Sequence, residues 1–362
     1  MKTFLITSTV AALLGAGSGF AGGALADETV ELVPGGYFLG SVLAEDDELS
    51  NISDALVDPD SWRFDGKSEV RFEGVSVLDS GLRYGFRAEV TVYDEIGSGD
   101  RGRENSLDLV DEASVFLDGG FGRVEIGQQD GVSGLFSVAS PHALRNLSVN
   151  PGSDDDMADP LALTPVSTVI DRSDDFAKIT YTTPSFGGLR LGLSFTPDTR
   201  SDDRGFASVN AEKDDIVEFG VIYSRDFEAL SLDVSATYAT ADPTPVSSDL
   251  EEWNAGVNVG FHGLTVGGSY RESENPTTGF QKYEAYDVGV AYETGPWKIS
   301  AQFAEHEGAL AGEPYENGYR YLISARYKVA KGLRFGAGFQ RDLDILNEEE
   351  GTAFILESAL KF

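Results

Sequence analysis

The chain has 362 residues, with 61 acidic against 27 basic side chains and a formal net charge of −34. So acidic a surface excludes nucleic acid and anionic membrane surfaces as partners, because both are bound through basic patches. There is no cysteine, which excludes thiol catalysis, iron–sulfur clusters and thiolate zinc sites and leaves stability to something other than disulfides.

From the N-terminus, Lys2, the apolar stretch Phe4 to Phe20 and the A-x-A site Ala24-Leu-Ala26 read as a secretory signal peptide over 1–26. A single domain is expected over 27–362, starting at Asp27. No later segment approaches the ~20 consecutive apolar residues that a spanning helix needs.

The first strand is expected near 29–41. Over 61–73, Trp62, Phe64, Val70 and Phe72 share one face of an extended chain, while Arg63, Asp65, Lys67, Glu69, Arg71 and Glu73 share the other. Over 82–92, Leu82, Tyr84, Phe86, Ala88, Val90 and Val92 oppose Arg83, Arg87, Glu89 and Thr91. Strands follow near 112–118, 123–129, 176–183, 189–196, 215–225, 229–240, 252–261, 263–271, 281–292, 296–305, 318–328, 332–341 and 352–362. Connections alternate between tight ones, such as Gly119-Gly-Phe-Gly122 and Phe261-His-Gly263, and long ones, such as 44–60, 94–110 and 130–175. About sixteen strands, short turns on one side and long loops on the other describe an all-β, transmembrane antiparallel β-barrel. In the last strand Phe354, Leu356, Ser358, Leu360 and Phe362 are expected to face outward. That strand should pair at once with the first, because an open edge is a liability.

Two stretches carry a resemblance. Glu112-Ala-Ser-Val-Phe-Leu-Asp-Gly-Gly-Phe-Gly-Arg-Val-Glu-Ile-Gly-Gln-Gln129 resembles the strand–turn–strand before the constriction loop of Gram-negative general diffusion porins. Ile179-Thr-Tyr-Thr-Thr-Pro-Ser-Phe-Gly-Gly-Leu189 resembles the strand and turn after it. The strong acidity is closest to porins of the alphaproteobacterial, Rhodobacter-like type, although Gln128 and Gln129 stand where an Arg is frequent. The resemblance implies an outer-membrane homotrimer of sixteen-stranded barrels among lipid and lipopolysaccharide, each barrel with its own water-filled pore. It also implies that the third external loop, here 130–175, folds inward, and that Phe362 is similar to the terminal signal read by the barrel-assembly machinery. Such a long stretch without alternation is itself uncommon unless functional or disordered.

A channel needs a wet passage with charges fixed at its narrow point. The inward rows offer Arg63, Lys67, Arg71, Arg83 and Arg87. The loop offers Asp154, Asp155, Asp156, Asp159, Asp171, Asp174 and Asp175. A basic wall facing an acidic loop would set a field across the passage. The same bases could instead pair with Asp65, Glu69, Glu73 and Glu89 and stiffen the wall, each pair adding about 0.2–1 kcal/mol. Asp154-Asp-Asp156 is a candidate Ca²⁺ site, although its spacing is not that of an EF-hand and a solvated acidic run explains it as well. Trp62, Tyr84, Trp253, Tyr270, Tyr292, Trp297, Tyr327 and Phe362 fall near strand ends, where interfacial girdles form.

No catalytic motif is present in the sequence: His142, His262 and His306 are isolated, with His306 expected in a solvated loop, so an enzyme is not expected. The function expected is passive diffusion of ions and small hydrophilic solutes, with cations favoured. A substrate-specific channel for sugars or small metabolites is the alternative, and a sealed structural or adhesive barrel a further one.

Overall fold

The structure is a computed structural model and describes residues 30–47, 62–95, 110–145, 147–150, 161, 166–199, 214–243, 249–274, 280–310, 316–345 and 349–362. The expected signal peptide, 1–26, lies outside them.

Sixteen strands form one closed antiparallel barrel in sequence order. They are β1 (Glu31–Asp47), β2 (Trp62–Val77), β3 (Arg83–Glu95), β4 (Val110–Gly119), β5 (Gly122–Gln128), β6 (Ala177–Thr182), β7 (Leu189–Asp198) and β8 (Asp214–Phe227). The wall continues with β9 (Leu230–Asp242), β10 (Leu250–Phe261), β11 (Leu264–Glu274), β12 (Phe280–Thr294), β13 (Trp297–Leu310), β14 (Glu316–Lys328), β15 (Leu333–Asp344) and β16 (Glu349–Lys361). β16 closes on β1 from Tyr37↔Lys361 to Asp47↔Gly351, so this sheet has no open edge. Among the described residues one short helix, α1 (Val132–Phe136), stands between β5 and β6.

Every connection from an even-numbered strand to the next is short, and all of these lie at one end. The tightest follow turn chemistry. His262 (φ 49°) and Gly263 (φ 85°) both take positive φ, as a two-residue hairpin matching the strand twist requires. The extra Cβ of any other residue at Gly263 would overlap the Glu293 carbonyl oxygen.

The pleat separates two rows on each strand. On β7, Leu189, Leu191, Leu193 and Phe195 are exposed while Ser194 and Thr196 are buried. On β16, Phe354, Leu356 and Leu360 are exposed while Ala353, Ile355, Glu357 and Ala359 are buried. The exposed row is a continuous apolar band that would aggregate in water and is stable against lipid; the buried row faces the barrel interior. Aromatic pairs sit at both ends of that band, Trp253 with Tyr270 at 5.1 Å toward the long loops and Trp297 with Tyr327 at 4.8 Å toward the short turns.

Two details depart from the sequence expectation. Strict alternation fails on β2 and β3, where register shifts fall at Ser68/Glu69 and Ala88/Val90. In the first shift the extra residue, Val92, is on β3, while on β2 Asp65, Lys67, Ser68 and Glu69 are all buried. Several strands also run past their alternating stretches. His306, expected in a solvated loop, is instead in β13, 5% exposed and stacked on Tyr283. The ladder continues there because its backbone pairs on both sides, whatever the side-chain pattern.

Candidate functional site

The longest connection joins β5 to β6, and its described residues lie against the buried row of the wall. Val132 and Phe136 of α1 rest on Gly220 and Gly192, which face each other across β8 and β7. A Cβ at Gly220 would stand 2.7 Å from Val132 Cγ1, and one at Gly192 would stand 2.8 Å from the same atom. Farther along, the Val138 carbonyl occupies the space over Gly256, and Leu144 and Leu147 sit over Gly336 and Gly338. Glycine within a strand often marks such a close approach. The apolar core of the molecule forms at these contacts, with Leu144, Leu147, Val149 and Val166 packed against Leu43, Ala304, Leu322 and Ile355.

Polar anchors complete the seat. Asp287 on β12, 1% exposed, accepts hydrogen bonds from Ser140 N–H (2.7 Å), Asn150 Nδ2 (2.8 Å), Thr168 Oγ1 (2.6 Å) and Ser269 Oγ. Glu252 on β10 holds Arg172 of the connection at 2.8 Å and Arg271 of β11 at 2.5 Å. Burial works against the charge on Arg172, but Glu252 outweighs it and the guanidinium pKa is raised. The Arg145 backbone N–H donates to Glu357 at 2.8 Å, and its guanidinium lies 4.1 Å over the Tyr37 ring.

These contacts reach the wall from β7 to β16 and touch β1 at Leu43 and Tyr37; between the connection and the arc β1–β4 lies a cavity of about 410 Å³. Seven carboxyl groups line it: Glu69, Glu89, Asp111 and Glu112 from the wall and Asp130, Asp171 and Asp175 from the connection. Four basic groups, Lys67, Arg71, Arg145 and Lys361, line it too.

The sequence candidates therefore separate. Lys67, Arg71, Asp171 and Asp175 meet at the cavity. Each wall base is also paired: Lys67 with Glu69 (2.7 Å) and Asp111 (3.7 Å), Arg71 with Glu89, and Arg87 with Glu112 (3.6 Å). The bases expected to set a field are thus the ones paired to wall acids. Arg71 remains half exposed and Arg87 about a quarter exposed. Arg83 stands apart, opposite Val77 at the short-turn end and paired with Asp118 at 3.3 Å. Asp174 contributes its backbone carbonyl, which accepts from Lys178 Nζ. Arg63 is in β2, but its side chain, like Asp154, Asp155, Asp156 and Asp159, lies outside the described residues.

Among the described residues a different acidic group forms: Glu112, Asp130 and Asp175 bring carboxylate oxygens within 4.8 Å of one another. Three such oxygens fall short of the six to eight that Ca²⁺ takes, and Arg87 already stands against Glu112.

Sequence reading missed the anchors on the far wall, Asp287, Glu252 and Arg271, and the base Arg145. A signal existed. Gly192, Gly220, Gly256, Gly336 and Gly338 interrupt otherwise well-formed strands, and each occupies an inward position where bulk would be expected.

A family model described as Gram-negative porin matches residues 8–344. No curated protein matches the chain. Among solved structures the chain is similar to OmpF of Salmonella typhi in complex with daunomycin, with a TM-score of 0.67 at 14% identity over 91% of this chain and 97% of that one. It is also similar to an anion-selective porin from Comamonas acidovorans, with a TM-score of 0.64 at 17% identity over 92% and 100%. The trimer form of OmpT from Vibrio cholerae matches with a TM-score of 0.61 at 13% identity over 92% and 100%.

Proposed function

Because this chain belongs to the Gram-negative porin family, we propose that the cavity between the β1–β4 arc and the β5–β6 connection is the narrow point of its channel, and that the channel favours cations. The protein is an outer-membrane porin, and its broad activity is a water-filled path for small hydrophilic solutes. The connection folds into the lumen and serves as the constriction loop. Its support is the set of contacts from Ser140, Thr168, Arg172 and Arg145 to inward wall residues.

One observation carries the cation preference: seven carboxyl groups against four basic groups around one cavity. With Lys67 and Arg71 paired to wall acids, Asp130, Asp171 and Asp175 supply negative charge from the opposite side. Fixed charge at a constriction acts in a confined, low-dielectric setting, so it selects permeating ions more strongly than the same charge in bulk water. A homotrimer is supported by the trimer form of the OmpT neighbour. The alphaproteobacterial character rests on the acidity, and lipid and lipopolysaccharide are the partners that suit the apolar outer band.

Recording across a planar bilayer in a salt gradient tests the reading. The wild-type reversal potential should have the cation sign. The pair Asp130→Asn with Asp175→Asn should move it toward zero, and Arg71→Gln should move it farther toward the cation limit. Conductance that saturates with one sugar or metabolite would replace general diffusion by a substrate-specific channel. A reversal potential of the anion sign would remove the selectivity proposed.

A further inference from the structure

An ammonium group has three donors and no acceptor, and burying one is costly unless all three are satisfied. Lys178 on β6 is 2% exposed. Its Nζ donates to the backbone carbonyls of Gln129, Ser173 (3.1 Å) and Asp174. Gln129 is the first residue after β5, and Ser173 and Asp174 are among the last before β6. One side chain thus ties together the two ends of the long connection, just beyond the last β5–β6 register pair, Gln128↔Ala177.

The surroundings fit that task. Asp174 has φ 35°, an unfavourable conformation for a residue with a side chain, kept only where its neighbours impose it. Glu218 on β8, 1% exposed, accepts from Ser173 Oγ at 3.1 Å and from Ser194 Oγ at 2.5 Å. Ser194 Oγ in turn accepts from the Val132 N–H at 3.1 Å, at the start of α1. Gly131 admits Glu218 closely, since a Cβ there would overlap its carboxylate. Asp130 and Asp175 each adjoin a residue whose carbonyl Lys178 holds. These two acids converge with Glu112 within 4.8 Å, where like charges repel. The backbone that carries both acids is the backbone that Lys178 ties.

We propose that Lys178 is a positioning residue for ion passage: it locks the neck of the constriction loop so that Asp130 and Asp175 are held on the cavity beside Glu112. This rests on the reading of that cavity as the pore, so the test separates the two. Lys178→Met keeps the length of the side chain and removes its donors. Heat-modifiable mobility on gels establishes that the barrel has assembled, and single-channel recording in a salt gradient then gives reversal potential and open-channel noise. Lys178→Met should move the reversal potential toward zero in the direction of the Asp130→Asn/Asp175→Asn pair and raise open-channel noise severalfold. Lys178→Arg, which can still donate to carbonyls, should recover part of both. Should Lys178→Met fail to assemble, Glu218→Gln, which removes the carboxylate charge acting on Lys178, is read in the same way and should also raise the noise. Wild-type reversal potential and noise in an assembled Lys178→Met or Glu218→Gln channel, beside a shifted Asp130→Asn/Asp175→Asn pair, would overturn the role of Lys178 and leave the pore reading standing. An unshifted Asp pair would remove the pore reading instead, and the noise of Lys178→Met alone would then decide whether the neck is latched.

Discussion

On the far wall, Glu252, Arg320 and Asp342 have fully buried side chains and Arg271 is nearly so; Arg320 meets Asp342 at 2.7 Å and Arg271 meets Glu252 at 2.5 Å. On the near arc, Arg71 meets Glu89 and Arg87 meets Glu112, yet both arginine side chains stay partly exposed, and Arg71 lines the cavity. The residue types are the same on both sides. At Glu252 a further segment, the connection with its Arg172, covers the pair. Where the connection covers the wall, charges serve as anchors, and losing one partner leaves an uncompensated buried charge. Where it stands off, paired charges remain available to ions, and each pair contributes little to stability.

The strongest way to break this contrast is to remove a far-wall anchor. Asp287→Ala leaves Ser140 N–H, Asn150 Nδ2 and Thr168 Oγ1 without their shared acceptor. At about 1.5–3 kcal/mol for each hydrogen bond to a charged group, partly recovered by water, the loss should exceed about 3 kcal/mol. Thermal melting in detergent should show it, and Arg71→Gln on the near arc should change the melting point far less. Equal losses at the two positions would erase the distinction between anchor and lining.

A smaller effect should follow from filling the seat. The side chain of Gly256→Val would collide with the Val138 carbonyl, a backbone atom that cannot swing aside. Overpacking of this kind costs about 1–3 kcal/mol. Because the clash lies between wall and connection, the expected signature is a barrel that assembles and conducts with altered, noisier current. A wild-type current trace would mean that the connection does not bear on β10.

The fold was legible because a barrel wall repeats one simple rule. Period-two rows, short turns such as His262–Gly263 and long loops mark all sixteen strands, since each strand must separate lipid from water along its own length. Strand ends were less legible: His306 continues β13 where no lipid-facing side chain is required. The site was half legible. Lys67 and Arg71 follow from parity, and Asp171 and Asp175 from acidity within an unpatterned loop. Asp287, Glu252 and Lys178 look like any inward polar residue, because their roles are set by a segment more than a hundred positions away for Asp287 and by three carbonyl groups for Lys178.

The gentlest test of the contrast lies where the near arc meets the end of β16. Phe362 N–H donates to the Gly36 carbonyl at 3.1 Å, Gly36 N–H donates back at 3.3 Å, and the Phe362 ring stacks on Phe38 at 5.9 Å. Gly36 takes φ 151°, and a Cβ there would overlap the Glu69 carbonyl oxygen, so β1, β2 and β16 are drawn tight at this point. Deleting Phe362 removes two hydrogen bonds near a strand end, about 1–2 kcal/mol in all, while the ladder from Tyr37↔Lys361 onward remains. The melting point should therefore fall only slightly, but the yield of assembled barrel should fall more, because closure of β16 on β1 is the step that removes the last open edge. A melting point that drops as far as that of Asp287→Ala would make the end of β16 an anchor like those of the far wall. An undiminished yield of barrel would show that closure proceeds without it.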